Sequence, residues 1–465
     1  MHPSPATWRR GLGGLCRLWI GLCALASSAL SQSISISPTI GPPTTKISVS
    51  GKGFSPNATV DILFSQTELA QTVTSGSGTF SNIVIEAPRG AIPGRHTITA
   101  QQLNSAHKAN TTFVVRTNWR QFHLSPAHTG ANRFENVLGS QNVASLTMLW
   151  SFETANVVAS SPAIANNVVY IGSNDDNVYA MDAKTGAFLW NFTTGSVVQS
   201  APANVGDVVY AGSSDGKLYA LNAADGAKLW AFTTGAAVTS PPTVVNGIVY
   251  FGSDDTNIYA VDATTGKLRW KVATKGAVIS SPTVANNLVY VGSEDAQLYA
   301  LNADTGVQAW RFAASGGIAS SPAAVGNEIV FGSNNHRVYA LNSSTGALLW
   351  SRGTSGSVRS SPAAGSNGLV YLGSDDGHLY ALSAGTGAVA WKHLTGSTVS
   401  SSPAVANGVV YVGSFDDHVY AFNAGSGKQL WSFATGGGIT SSPAVANGML
   451  YIGSNDTNVY AFALP

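Results

Sequence analysis

The stretch Ala180-Met181-Asp182-Ala183-Lys184-Thr185-Gly186-Ala187-Phe188-Leu189-Trp190 decides how this chain folds, because its pattern returns at a fixed interval. Alanine, a turn ending in glycine, and tryptophan recur from Ala220 to Trp230, Ala260 to Trp270, Ala300 to Trp310, Ala340 to Trp350, Ala381 to Trp391 and Ala421 to Trp431. With Trp150 ahead of them, the tryptophans stand 40 residues apart, except for 41 between Trp350 and Trp391. A constant period of this size means one supersecondary unit copied in series, each copy needing its neighbours to bury its apolar face. The third position is Asp182 and Asp262 but Asn222, Asn302, Asn342, Ser383 and Asn423, so it ties a turn and need not be charged. Each indole buried between units removes about 200 Å² from water, roughly 5 kcal/mol gross before entropy.

Working outward, each unit opens with a Ser-x-Pro step such as Ser160-Ser161-Pro162 and passes through a Gly-Ser-x-Asp turn such as Gly172-Ser173-Asn174-Asp175. The turns Asn166-Asn167, Asn174-Asp175-Asp176 and Lys184-Thr185-Gly186 cut it into four strands, which predict one antiparallel sheet. Val168–Gly172 is a nearly continuous apolar run, as expected where neighbours pack on both faces. Eight Ser-x-Pro starts, from Pro162 to Pro443, predict an all-β, eight-bladed propeller over residues 146–465. The last copy ends at Pro465 without a Trp strand, while Leu146–Phe152 is a Trp strand with no copy before it. The spare strand is expected to complete the last blade and close the ring, removing an open sheet edge.

The 465 residues are 44% hydrophobic and only 10% charged, with 50 glycines, which suits two domains rich in tight turns. Residues 1–31 read as a secretory signal: Arg9 and Arg10, an apolar run from Leu12 to Leu25, then small residues. Both cysteines, Cys16 and Cys23, lie inside it, so the mature chain has neither disulfide nor thiolate metal site. Its removal takes three arginines and no acids, changing the formal charge from +1 to about −2. A field of that size steers the protein to neither nucleic acid nor anionic membrane. The expected product is exported to the periplasm, cell surface or medium as a monomer with no membrane span.

Residues 32–116 alternate in short strands such as Lys46–Ser50, Thr59–Phe64 and His96–Ala100, indicating a small β-sandwich. The wording Val49-Ser50-Gly51-Lys52-Gly53-Phe54-Ser55-Pro56-Asn57 resembles immunoglobulin-like domains of the IPT/TIG type, in which Phe54 would plug the core. Residues 117–145 form a bridging segment containing Trp119-Arg120-Gln121-Phe122, His128-Thr129-Gly130 and Asn142-Val143.

Over residues 146–465 the Ala…Thr-Gly…Trp pattern resembles the tryptophan-docking repeat of quinoprotein propellers, the PQQ-like repeat. That resemblance implies one of two functions. One branch contains quinone-dependent alcohol and sugar dehydrogenases, with PQQ and calcium. The other contains scaffold propellers such as the lipoprotein subunit of the outer-membrane barrel assembly machine. The dehydrogenases combine a vicinal cysteine pair, a carboxylate base, a calcium site and long inserted loops. This chain has no mature cysteine, no long insertion, and only Glu153, Glu294 and Glu328 as glutamates within the repeats. The reading is therefore a non-enzymatic scaffold with no catalytic residue, no metal site and no cofactor; the docking tryptophans Trp150, Trp190, Trp230, Trp270, Trp310, Trp350, Trp391 and Trp431 are structural. Its partner is a protein or glycan. The alternatives are a PQQ-dependent dehydrogenase and a surface carbohydrate-binding protein, the latter supported by Phe415.

Three polar constellations were weighed. The carboxylates of the Gly-Ser-x-Asp turns, Asp175 to Asp456, read as hairpin residues. His378 and His418, at one offset in adjacent copies, read as solvated turn residues. The residue before each Ser-x-Pro start varies most, and at a shared concave surface such variation marks ligand contacts. Gln199, Thr239, Arg359, Ser400 and Thr440 are the ligand-binding candidates at that channel mouth, with Arg359 its sole charge.

Overall fold

The computed structural model describes residues 31–465, so the expected signal segment lies outside the described residues apart from Ser31. The chain divides into two compact units. One holds Ser48–Ile85, Thr97–Thr111 and the strand before Pro38; the other holds Pro38–Ile47, Glu86–His96 and Thr112–Pro465. The N-terminal strands form a three-stranded sheet (Ser33–Ser37, Lys46–Lys52, Phe80–Glu86) and a five-stranded sheet that includes Thr59–Phe64 and Gly94–Gln102. Alternation places Ile47, Val49, Val60 and Ile62 inside. Phe54 is buried with its ring 5.7 Å from that of Phe80.

The repeats form a β-propeller. The first copy is an antiparallel sheet of Ala163–Ala165, Val168–Gly172, Asn177–Asp182 and Phe188–Thr193, and the later copies repeat this order. Asn166 and Asn167 take positive φ of 53° and 64°, the geometry of a two-residue hairpin turn, which asparagine tolerates. The second strand is buried on both faces, as its apolar run predicts; in the fourth, Phe188 and Leu189 are exposed and Trp190 is buried. A bulge opposite Ala180–Met181 lets the tryptophan and its two predecessors leave strict alternation.

The indoles join one sheet to the next. Trp190 Nε1 donates to the Ala223 carbonyl at 3.0 Å, Trp230 to Ala263 at 3.1 Å and Trp270 to Ala303 at 2.9 Å, each acceptor lying in the following copy. Tyr210 and Tyr250 donate to the same two later carbonyls, at 3.0 Å and 3.1 Å. The glycine that ends each of these turns lies against the indole of the preceding copy. At Gly226, where φ is +73°, an added Cβ would stand 2.6 Å from Trp190 Cε3. Glycine is thus required twice over, by backbone and by space.

Thr147–Glu153 pairs antiparallel with Asn458–Ala463, Thr147 opposite Ala463 and Glu153 opposite Asn458. The spare N-terminal strand fills the vacancy in the last sheet. First strands contact one another in sequence from Ala163–Ala165 to Ala444–Ala446, which contacts Ala163–Ala165 again. Trp150 donates to Ala183 of the first copy at 3.1 Å, and Trp431 donates to Leu146 at 3.0 Å. The cycle is closed.

Gly226→Ala is expected to destabilise the protein by more than about 1 kcal/mol in urea unfolding, because both the positive φ and the indole oppose a methyl group. Gly206, whose φ is also positive (+62°) but whose added Cβ would meet nothing within 4 Å, is the control, and Gly206→Ala is expected to cost less.

Candidate functional site

The loops before the first strands and the Gly-Ser-x-Asp turns meet at one end of the channel. Asn174 N–H donates to Val157 O at 2.9 Å and Val198 N–H to Ser173 O at 3.0 Å, and later copies repeat both bonds. The turn aspartates are consumed in holding this end together. Asp255 Oδ1 accepts from Asn257 N–H at 3.0 Å, and its Oδ2 accepts from Gly235 N–H and the Tyr259 hydroxyl, both at 2.7 Å. Asp215 and Asp376 have the same three kinds of partner. Burial alone would raise these carboxyls; the bonds from tyrosine and backbone outweigh it and hold Asp215, Asp255 and Asp376 below the usual range. The same pairing, added to burial, pushes the tyrosine hydroxyls well upward. Where Asn335 replaces aspartate it still bonds Tyr339, at 2.7 Å.

The five candidate residues stand on this end. Gln199 and Arg359 are exposed; Thr239, Ser400 and Thr440 are half-buried. Sequence reasoning saw no carboxylate among them, yet the x position of the Gly-Ser-x-Asp turn brings several. Asp375 Oδ2 lies 3.4 Å from Arg359 Nε, and its Oδ1 accepts from Ser400 Oγ at 3.3 Å. Thr239 Oγ1 donates to Asp254 Oδ1 at 3.1 Å, and Asn334 Nδ2 to Glu294 Oε2 at 3.4 Å. Burial raises Glu294, with Arg359 pulling it back; burial likewise raises Asp254, opposed by the Thr239 bond. Arg359 is therefore one member of a mixed-charge rim and already has a carboxylate partner. Glu153 pairs opposite Asn458 and Glu328 opposite Asn342, so neither joins Glu294. Phe415 is 46% exposed at the same turn position.

His378 and His418 cap their own turns, His378 Nδ1 at 3.2 Å from Asp376 Oδ1 and His418 Nδ1 at 2.8 Å from Asp416 O. Among the described residues no three His, Cys, Asp or Glu side chains converge as a metal's ligand set.

The bridging segment holds what sequence reasoning missed. Residues 119–132 thread through the ring at the hairpin end of the first strands and bond to each in turn. Ile164 exchanges bonds with Trp119 at 2.7 and 2.8 Å; Asn204 N–H donates to Arg120 O at 2.7 Å and Val244 N–H to Gln121 Oε1 at 3.1 Å. Val284, Ala324, Ala364 and Val405 donate to the carbonyls of Pro126, Ala127, Thr129 and Gly130 at 2.7 to 3.0 Å. Asn132 Nδ2 then reaches Val445 O at 2.9 Å. This strap fills the channel at that end, and Gln199 and Arg359 stay exposed at the other. Trp119, Phe122, His123 and His128 are buried in it. His128 Nδ1 lies 2.8 Å from Thr283 Oγ1 and its Nε2 3.1 Å from Thr243 Oγ1, with Ser281 Oγ at 3.4 Å. His123 stacks on Phe122 with ring centroids 4.5 Å apart, and neither ring nitrogen has a well-formed hydrogen bond. Burial lowers His123 to about 4, although the carbonyls of His128 and Pro362 pull upward; it lowers His128 to about 3, helped by His123. The sequence signal was available: two histidines and two large aromatics in a short non-repeating segment.

A closed ring of indole-docked four-stranded sheets, with a glycine turn under seven of the eight indoles, defines a PQQ-like repeat β-propeller. The sequence model of the family described as "Outer membrane protein assembly factor BamB" matches residues 82–237, 214–361 and 335–464, and the chain belongs to that family. Among solved structures it is similar to BamB from Moraxella catarrhalis, at 22% identity over 68% of this chain and 97% of that one, with a TM-score of 0.60. It is also similar to a europium-containing methanol dehydrogenase, at 16% identity over 75% and 98%, TM-score 0.65. Quinohemoprotein alcohol dehydrogenase from Comamonas testosteroni gives 18% identity over 75% and 80%, TM-score 0.65. At these identities the likeness is one of fold. No curated protein matches the chain.

The strap histidines and turn aspartates set an acid limit on stability. A histidine held near 4 or 3 when folded, against 6.5 unfolded, binds its proton more readily in the unfolded chain. Its contribution is complete above 6.5 and falls as pH drops, by about 1.4 kcal/mol per unit for each histidine down to its folded value. The lowered aspartates add a loss only below the ordinary carboxylate range, near 3.9. Urea unfolding at pH 7, 6, 5 and 4.5 is expected to show stability falling from about pH 6.5 downward, with a shallower slope in His128→Gln.

Proposed function

We propose that the chain is an exported, non-enzymatic scaffold: a signal segment at residues 1–31, an immunoglobulin-like, IPT/TIG-like domain at 32–116, a bridging segment at 117–145 and an eight-bladed propeller at 146–465. The propeller presents its open mouth to a protein partner, with Gln199, Thr239, Arg359, Ser400 and Thr440 as contacts. The observation that carries this reading is the strap. It occupies the first strand of each sheet from the hairpin end, so that the exposed variation is left at the mouth. Family membership supports a protein partner within an envelope assembly complex, and a periplasmic or cell-surface location.

The quinone-dependent alternative is disfavoured by the donor set. An anionic quinone with calcium calls for free cations and several oxygens converging on one ion. At the mouth Asp254, Glu294 and Asp375 stand on three different sheets and already accept from Thr239, Asn334, and Arg359 with Ser400. Arg359, the cation among them, is engaged by Asp375. These residues do not fit that pair of ligands. A glycan occupant draws its support from Phe415, whose exposed ring suits stacking on a sugar face.

A photo-crosslinker placed at Gln199 or Thr440 in the full chain, expressed in its native envelope, is expected to give one defined protein adduct that Arg359→Glu diminishes. Glycan-array binding lost in Phe415→Ala would move the reading to carbohydrate. Dye reduction with alcohols or sugars that requires added quinone and calcium would overturn the scaffold reading.

A further inference from the structure

A second site lies at the strapped end, away from the mouth. Where the strap enters and leaves the ring, a cavity of about 530 Å³ is lined by Arg116, Arg120 and Arg133, with Leu124, Ala131 and Phe134 among its apolar walls. That volume is within the range of small-molecule sites, which combine apolar walls with a few placed polar groups. The lining contains no aspartate or glutamate. None of the three arginines has an ion pair among the described residues, whereas Arg269 and Arg359 elsewhere do.

Arg120 and Arg133 are exposed and Arg116 is half-buried. Arg116 Nη2 donates to Asn166 Oδ1 at 3.0 Å, but its Nε is buried with no hydrogen-bond partner. A buried unpaired donor on a charged group is costly. Burial lowers Arg116, and the like charge of Arg120 lowers it further. Two guanidiniums that repel each other across a cavity without a carboxylate gain from an anion between them. Glu135, a buried acid just beyond the strap, cannot supply it. Its Oε1 accepts from Val137 and Leu138 N–H at 2.9 and 3.0 Å, and its Oε2 accepts from Gly448 N–H at 3.1 Å. Phe134, 42% exposed, adds an aromatic wall beside these charges.

We propose that this cavity binds a small organic phosphate, its phosphoryl oxygens taken by Arg116, Arg120 and Arg133 and its apolar body laid against Phe134 and Leu124. The same phosphoryl chemistry occurs in a soluble monoester and in a lipid headgroup, and the two sources are separable by experiment. The strap's backbone bonds do not involve these side chains, so the arginines can be changed without unthreading it: the Arg120 bond to Asn204 is made by its carbonyl.

The mature chain, residues 32–465, is titrated calorimetrically with phenyl phosphate, with phenol as the uncharged control, and is separately sedimented with phosphatidylcholine vesicles containing or lacking phosphatidylglycerol. Saturable 1:1 binding of phenyl phosphate but not phenol is expected, weakened by salt and roughly tenfold or more weaker in Arg120→Ala/Arg133→Ala. Retention of the wild-type melting temperature and far-ultraviolet circular dichroism shows that the double variant is folded. If Arg120→Ala/Arg133→Ala instead reduces sedimentation with phosphatidylglycerol vesicles while phenyl phosphate fails to bind, the source is a lipid headgroup. Binding to neither probe, or binding that the double variant leaves unchanged, overturns the proposal.

Discussion

The structure depends on one contact made again and again: an indole laid on the glycine turn of the next sheet, its N–H donating to that turn's carbonyl. The contact joins local and global structure. The turn glycine is needed because its φ is positive and because the indole occupies the space a side chain would take, as at Gly226 over Trp190. Burying a tryptophan there removes apolar area from water while leaving its one polar group satisfied. Since each sheet donates to its successor, no sheet can pack without a neighbour, and the last must find the first. Trp150, on the strand that completes the final sheet, does so by bonding Ala183 of the first copy, and Trp431 of the sheet before it bonds Leu146.

A second set of bonds belongs to the mouth end. There the turn aspartate accepts from its own turn, from the preceding loop and from a tyrosine four residues on, as Asp255 does from Asn257, Gly235 and Tyr259. A carboxylate so occupied is a structural part of its turn. Variation is left to the residues flanking these locks, and that is where Arg359 meets Asp375 and Thr239 meets Asp254.

Much of the fold was legible because repetition advertises itself. The period of the tryptophans, the glycine before every one after Trp150 and the spare strand at Leu146–Phe152 led to the closed propeller. The candidate site was legible only in part. The positions of Thr239 and Arg359 followed from the strand order, but the carboxylates facing them, Asp254 and Asp375, did not, because the x residue of the Gly-Ser-x-Asp turn reads as loop until the neighbouring loop is placed beside it. The strap was invisible for a related reason. Its bonds run to residues between about 45 and 310 positions away, and a non-repeating segment carries no periodic signal; only the density of Trp119, Phe122, His123 and His128 hinted at burial. At 16% and 18% identity, the likeness to the quinone-type dehydrogenases is one of fold.

The strap is an integral part of the ring, held at the first strand of every sheet. Hydrogen exchange read by mass spectrometry measures this directly at the amides that donate to the strap: Asn204, Val284, Ala324, Ala364 and Val405. If the strap is integral, these amides exchange as slowly as those of the buried second strands, through global unfolding. Exchange within seconds at these positions, with the second strands still protected, would mean that the strap comes and goes on a ring that stands without it, and would contradict the account.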